Sequence, residues 1–313
     1  MNLLSVLRER IEAIPDGDYT HGLKSVLQHV EVATRHLERG QSTLDDTAFT
    51  DAIYRTNQAF EGSLKEAYRV LTGKDPNRVR PFDIEEYFQK SGALRPRVLA
   101  QFTNYRQEWR NPSAHDYRLD FDGDEALLAI VTVSAFAIVL TDQIAERVAF
   151  QQAQIAATAA QVPIAAPTIP LLQRSTDLIA QFTAHFQPGH TGTDIRETEV
   201  LGALGGFLAT TAPDVTAQIE ARLLPDHPDR PDLILASPSE RIVLEMKRVR
   251  KPTPQLEQQA IRQVTHYMAM GGITQAIIFI FCSPNTGKVS QRTEHIPGIN
   301  GHIVIITAEA PTA

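Results

Sequence analysis

Residues 230–250 read RPDLILASPSERIVLEMKRVR, and the fold of the C-terminal half turns on them. Two apolar, β-forming runs, Leu233-Ile234-Leu235 and Ile242-Val243-Leu244, flank the breaker cluster Ser237-Pro238-Ser239-Glu240, so the stretch predicts two short strands joined by a turn. Side chains alternate across a strand, which puts Glu245 and Lys247 on one face and Ile242, Leu244 and Met246 on the other. Asp232 opens the first strand, where a hairpin can bring it beside Glu245. Two carboxylates and a lysine on one sheet face are costly to bury without compensation. A divalent cation would compensate, and hard oxygen donors suit Mg²⁺ or Mn²⁺. The same letters also fit an edge hairpin with a solvated Asp232 and an i,i+2 Glu245/Lys247 pair.

Around this hairpin the pattern is mixed α and β. Helices are expected over Leu171 to Phe186, Ile195 to Thr210 and Pro254 to Met270, with a loop at Pro188 to Gly192. Further strands are expected at Ile219 to Leu224, Ala276 to Phe281 and Ile303 to Thr307. The order is helix, three strands, helix, strand, strand.

Asp232 with Glu245-x-Lys247, in this order of elements, resembles the PD-(D/E)xK nuclease superfamily, which includes many restriction enzymes. The likeness covers the C-terminal portion and implies a restriction-endonuclease-like α/β core with a mixed sheet. It implies metal-assisted hydrolysis of a phosphodiester bond, with Asp232 and Glu245 as metal ligands and Lys247 orienting the water. Gln263 and Tyr267, four apart on the following helix, match a QxxxY pair of many members. Members often supply another carboxylate from the first core helix, for which Glu199 is chosen over Glu197, with Glu220 as a rival on the first strand. Arg248, Arg250 and Lys251 extend a basic run that could track a phosphate backbone; a solvated strand end is the plainer reading.

Residues 1 to about 157 carry helical periodicity without a strand pattern, which predicts an antiparallel bundle. A long helix is expected over Asp124 to about Ala156, whose apolar run Ala126 to Leu140 reads as a core segment too short to span a bilayer. Within the bundle, Leu94 to Trp109 is expected to be one helix, followed by Arg110-Asn111-Pro112-Ser113-Ala114-His115. Pro112 disfavours helical geometry at Asn111 and should kink or end the helix. Arg110, Asn111 and His115 in an all-helical unit resemble the motif of the HEPN family. Active members are metal-independent ribonucleases that work as dimers, which implies His115 as acid/base, Arg110 as phosphate ligand and Asn111 as polar helper. A capping or ion-pair arrangement with Glu108 and Asp116 fits the same residues.

The chain of 313 residues thus divides into a HEPN-like bundle (1–157), a linker rich in Ala, Gln and Pro (158–170) and a nuclease-like domain (171–313). Its 42% hydrophobic and 21% charged residues are ordinary for a globular protein, and a net charge of −7 excludes a generally basic nucleic-acid coat. The lone Cys282 and the absence of a secretory pattern at the N-terminus point to the cytoplasm. Taken with the two resemblances, the expectation is a Mg²⁺-dependent endonuclease, an effector of bacterial anti-phage defence. DNA is the expected substrate and RNA the alternative, with homodimerisation through the bundle and no membrane. No phosphate-binding GxxxxGK[ST] loop occurs, so an ATPase or regulator would be a partner protein. The alternatives are a HEPN ribonuclease or toxin with a non-catalytic DNA-binding C-terminal domain, and an inactive adaptor.

Overall fold

The structure is a computed structural model that describes residues 2–91, 94, 96–115, 118–186 and 195–311. It contains a helical N-terminal part and a C-terminal mixed sheet. The chain forms two compact units, Met1–Ala145 and Glu146–Ala313.

The first unit comprises α1 (Leu3–Glu12), α2 (Thr20–Thr43), α3 (Thr47–Thr72), α4 (Pro81–Ser91), α5 (Pro96–Tyr105), α6 (Asn111–His115) and the start of α7 (Gly123–Ala159). The amphipathic pair α2 and α3 forms its spine, with Val26, Val30, Ile53, Phe60 and Leu64 fully or almost fully buried. Phe60, Phe102, Tyr105 and Phe136 stack into an aromatic centre. Among the described residues, α7 alone is long and apolar enough to cross a membrane. Half of its apolar window is buried in protein, as in a core helix.

The expected single helix from Leu94 to Trp109 is instead α5, a π-helical turn over Arg106–Arg110, and α6. Asn111 does not leave helical geometry: its φ and ψ are −72° and −47°, and its N–H donates to the Arg106 carbonyl. Pro112 therefore lies within continuous helical backbone, just after the π-helical turn.

The second unit holds the end of α7, then α8 (Leu171–His185), α9 (Glu197–Thr211), β1 (Thr216–Ile219), β2 (Leu233–Ala236), β3 (Arg241–Val249), α10 (Pro254–Gly271), β4 (Gln275–Cys282), β5 (Val289–Ile296) and β6 (Gly301–Ala308). The strand order is β1-β2-β3-β4-β6-β5. The β1/β2, β2/β3 and β5/β6 pairs are antiparallel, and β3/β4 and β4/β6 are parallel. One sheet face, carrying Leu233, Leu235, Ile242, Leu244 and Met246, packs on α8 and α9. The other, carrying Ile234, Val243, Ile278 and Ile280, packs on α10. The first strand ends at Ile219 rather than starting there, because Glu220 turns into the left-handed region at φ 47°. β5 went unforeseen: its sequence, VSQRTEHI, is polar and mostly exposed, as an edge strand paired only with β6 can be. The loop expected at Pro188 to Gly192 lies outside the described residues.

The unit boundary falls inside α7, before the expected 157. From Glu146 onward α7 packs on α9, whose Gly202 and Gly206 stand one turn apart against it. A Cβ at Gly202 would come 2.2 Å from the Glu146 carbonyl oxygen, and one at Gly206 2.1 Å from that of Phe150. Ala157 is buried in this unit's core, and the Ala165 N–H donates to the Thr211 carbonyl at 2.8 Å. The segment expected as a linker is therefore tied to the second unit. Gly206→Ala is expected to destabilise this unit by about 1–3 kcal/mol, since backbone must shift to admit one methyl. Chemical denaturation of the variant beside wild type checks this; an unchanged midpoint would refute the packing.

Candidate functional site

The site is built by the register of two strands. In the β2/β3 hairpin Leu233 pairs with Leu244, so the next position outward sets Asp232 across from Glu245. On β3 the period of two turns Glu245 and Lys247 to the α10 face, while Met246 points into the core under α8 and α9. β4 lies parallel on the other side of β3, with Glu245 opposite Ile278 and Lys247 opposite Ile280. Glu245 thus sits on a central strand, is 1% exposed, and is shielded by its apolar neighbours.

Two hydrogen bonds and one unpartnered oxygen define the geometry. Asp232 Oδ2 accepts the Met246 N–H at 2.7 Å. Lys247 Nζ donates to Glu245 Oε1 at 2.5 Å. Glu245 Oε2 is buried and accepts no hydrogen bond. An unpartnered buried carboxylate oxygen costs free energy, and it is an open coordination position.

Burial, followed by the nearby Glu245 charge, pushes the Asp232 carboxyl up to about 7. Burial also raises Glu245, against the pull of Lys247. For Lys247, burial acts downward, but the bond to Glu245 and the charges of Glu245, Asp232 and Glu197 carry it upward. Both acids are therefore harder to ionise than ordinary carboxyls, and added positive charge at the site would favour their ionised forms.

The third carboxylate at the site is Glu197, not Glu199. Glu199 Oε2 accepts the Arg196 N–H at 2.9 Å and Arg196 Nε at 3.0 Å, so it folds back to close the first turn of α9. Glu197 Oε2 accepts the Arg248 N–H at 3.3 Å, and its charge acts on Asp232, Glu245 and Lys247. Both glutamates lie in one helical turn, and only the neighbouring Arg196 hinted which would be occupied. Glu220 sits past the end of β1, where its N–H donates to the Asp232 carbonyl at 2.9 Å.

From α10, Gln263 Nε2 donates to Tyr267 Oη at 2.8 Å. Burial raises the Tyr267 hydroxyl against that hydrogen bond, and the charges of Glu245, Asp232 and Asp229 raise it further, so the pair borders the acids. Arg248 is half-buried on β3, and Arg250 and Lys251 are exposed just past its end.

In the helical unit, Arg110 Nε and Nη2 lie 2.9 and 2.8 Å from Glu61 Oε1 on α3, and Arg110 Nη1 donates to Asn111 Oδ1 at 3.3 Å. Ser113 locks the segment down: its Oγ accepts from Asn57 Nδ2 at 2.7 Å and its carbonyl from Tyr54 Oη at 3.0 Å. Among the described residues the partner of Arg110 is thus Glu61 rather than Glu108. Asp116 and the His115 side chain lie outside the described residues.

The donors suit a hard cation. Two carboxylates supply oxygen ligands, one oxygen is unsatisfied, and a lysine is poised beside them. No group of three His, Cys, Asp or Glu residues able to hold a metal ion occurs among the described residues. A cation here would take Asp232 and Glu245 and fill its shell with water or phosphate oxygens, the habit of Mg²⁺ rather than of structural Zn²⁺. No protein-family model, curated protein or solved structure matches this chain.

Folding raises the Asp232 carboxyl above its ordinary 3.8, so the stability that its neutral form contributes is lost as pH rises from there through about 7. Glu245 contributes with the same sign. In EDTA, wild type is expected to lose melting temperature across that window. Asp232→Asn should flatten the slope and exceed wild type at alkaline pH by on the order of 1–2 kcal/mol. A wild-type melting temperature that is level across the window would contradict the buried-acid arrangement.

Proposed function

We propose that the second unit is a metal-dependent nuclease of the PD-(D/E)xK type, hydrolysing phosphodiester bonds in DNA. The observation that supports it most is the buried Glu245 carboxylate, with one oxygen on Lys247 and one unpartnered, beside an Asp232 whose carboxyl rises to about 7. Such strongly perturbed acids with a specific charge partner favour a working site over a structural one.

Asp232 and Glu245 would hold Mg²⁺ or Mn²⁺. The bound ion supplies Lewis acidity and lowers the pKa of a water. Lys247, fixed by Glu245, orients the attacking water and offsets negative charge in the transition state. Glu197 adds a negative charge that helps keep Lys247 protonated. Gln263 and Tyr267 form a rigid polar edge for the substrate backbone, and Arg250 and Lys251 offer phosphate contacts. In the helical unit Arg110 is engaged by Glu61, which favours a structural role for the Arg110–Asn111 segment. The bundle would then serve dimerisation or sensing, in a cytoplasmic effector of anti-phage defence that is released by a partner or signal.

Cleavage of labelled duplex DNA with Mg²⁺ tests this. Lys247→Ala and EDTA are each expected to reduce the rate by about 100-fold or more. Glu197→Gln should slow cleavage while Glu199→Gln lowers only stability. RNA cleavage that survives EDTA and disappears with His115→Ala would move the chemistry to the bundle instead. In a separate measurement, Mn²⁺ should raise the melting temperature at alkaline pH and less so below about 7, where protons compete for Asp232. A metal shift that persists in Asp232→Ala would remove Asp232 from the ligand set.

A further inference from the structure

A second group of side chains borders the same sheet face. His227 and Asp229 lie in the loop between β1 and β2, and His266 lies on α10 beside Tyr267. Asp229 Oδ2 is 2.7 Å from His266 Nε2 and 3.0 Å from His227 Nδ1. Asp229 is therefore hydrogen-bonded to His266, while His227 Nδ1 faces the same oxygen without a hydrogen bond; the two ring centres are 6.4 Å apart. The remaining nitrogens, His227 Nε2 and His266 Nδ1, lie on the ring sides away from Asp229. The His266 side chain is 54% exposed and that of His227 33%.

Arg262 stands one turn before His266 on α10, exposed and on the same strip of the helix. That strip adjoins Gln263 and Tyr267, and the Tyr267 hydroxyl feels Asp229 together with Glu245 and Asp232. The other charged groups of the loop are Asp226, Arg222, which donates to the Pro225 carbonyl, and Arg230, which donates to the Glu220 carbonyl.

We propose that Arg262, His266 and His227 form a phosphate track, binding the nucleic-acid backbone on the α10 side of the carboxylate site, with Asp229 holding His266 in place beside His227. This rests on the nuclease reading above. An acidic site in a chain of net charge −7 repels a polyanion, so backbone binding must come from local cations. An arginine fork and two neighbouring imidazoles supply such donors, one of the imidazoles fixed by Asp229.

The test is binding of labelled duplex DNA in EDTA over a salt series, with every variant built on Asp232→Asn so that titration of that acid does not contribute. Removing one cation that neutralises a phosphate should reduce the slope of log affinity against log salt by about 0.9. Arg262→Ala is expected to do so at about pH 5.5, and Arg262→Lys to restore it. The His227→Ala/His266→Ala pair should reduce the slope under the same conditions, and His266→Gln, which keeps a polar group toward Asp229, should show part of the same reduction. Slopes equal to the parent in all variants, or no binding by the parent, overturn the track. A change with Arg262→Ala alone overturns the imidazole part. Should these slopes behave as stated while wild type fails to cleave DNA with Mg²⁺, the nuclease reading falls and the track stands as a binding site. Lys247-dependent cleavage with unchanged slopes gives the reverse.

Discussion

The pairing of Leu233 with Leu244 across the β2/β3 hairpin is the constraint on which the site depends. Because side chains alternate with a period of two, a slip of one residue would drive Glu245 and Lys247 into the apolar layer under α8 and α9. It would also bring Leu244 and Met246 out beneath α10. The hydrophobic cost of that exchange runs through every residue of β3, so the register is held by the core rather than by the polar groups. Asp232 then arrives opposite Glu245 as a consequence of packing that does not involve it.

The polar groups placed in this way are electrostatically strained. Glu245 lies on a central strand, buried between β2 and β4, and only one of its oxygens is satisfied. Lys247 offsets one negative charge, while Asp232, Glu245 and Glu197 together bring more than one. Burial and mutual repulsion hold the acids toward their neutral forms, an arrangement that weakens the fold at alkaline pH and favours capture of a cation. The same burial keeps the geometry rigid, since β3 cannot move without disturbing both sheet faces.

In the helical unit the polar motif is built into the packing. The π-helical turn over Arg106–Arg110 resets the helix phase, so that Arg110 reaches Glu61 and Ser113 meets Tyr54 and Asn57 on α3. Arg106 is engaged as well, donating to both oxygens of the buried Glu85. Each of these two cations has a carboxylate opposite it, in contrast to the excess of acids around Lys247.

Periodicity along the chain was enough to foresee the helices of the first part apart from the division into α5, a π-helical turn and α6, and also the hairpin, α10 and the apolar strands β4 and β6, because each has one or both faces buried and its pattern records this. It was enough, too, to place Glu245 and Lys247 on one face and Met246 on the other. β5 left no such record, since an exposed polar edge strand is defined only by its hydrogen bonds to β6. The end of α7 and the segment after it read as a fraying helix and linker because the partner that buries them, the glycine face of α9, is distant in sequence. The choice between Glu197 and Glu199 was part local and part tertiary: one turn of helix offers both, Arg196 captures Glu199 three residues on, and Glu197 accepts the distant Arg248 N–H. The amino-acid sequence by itself determined which residues alternate, which faces are apolar and which acids could meet. The tertiary structure alone decided which acids were left without partners, because that depends on groups brought together by packing and not by proximity along the chain.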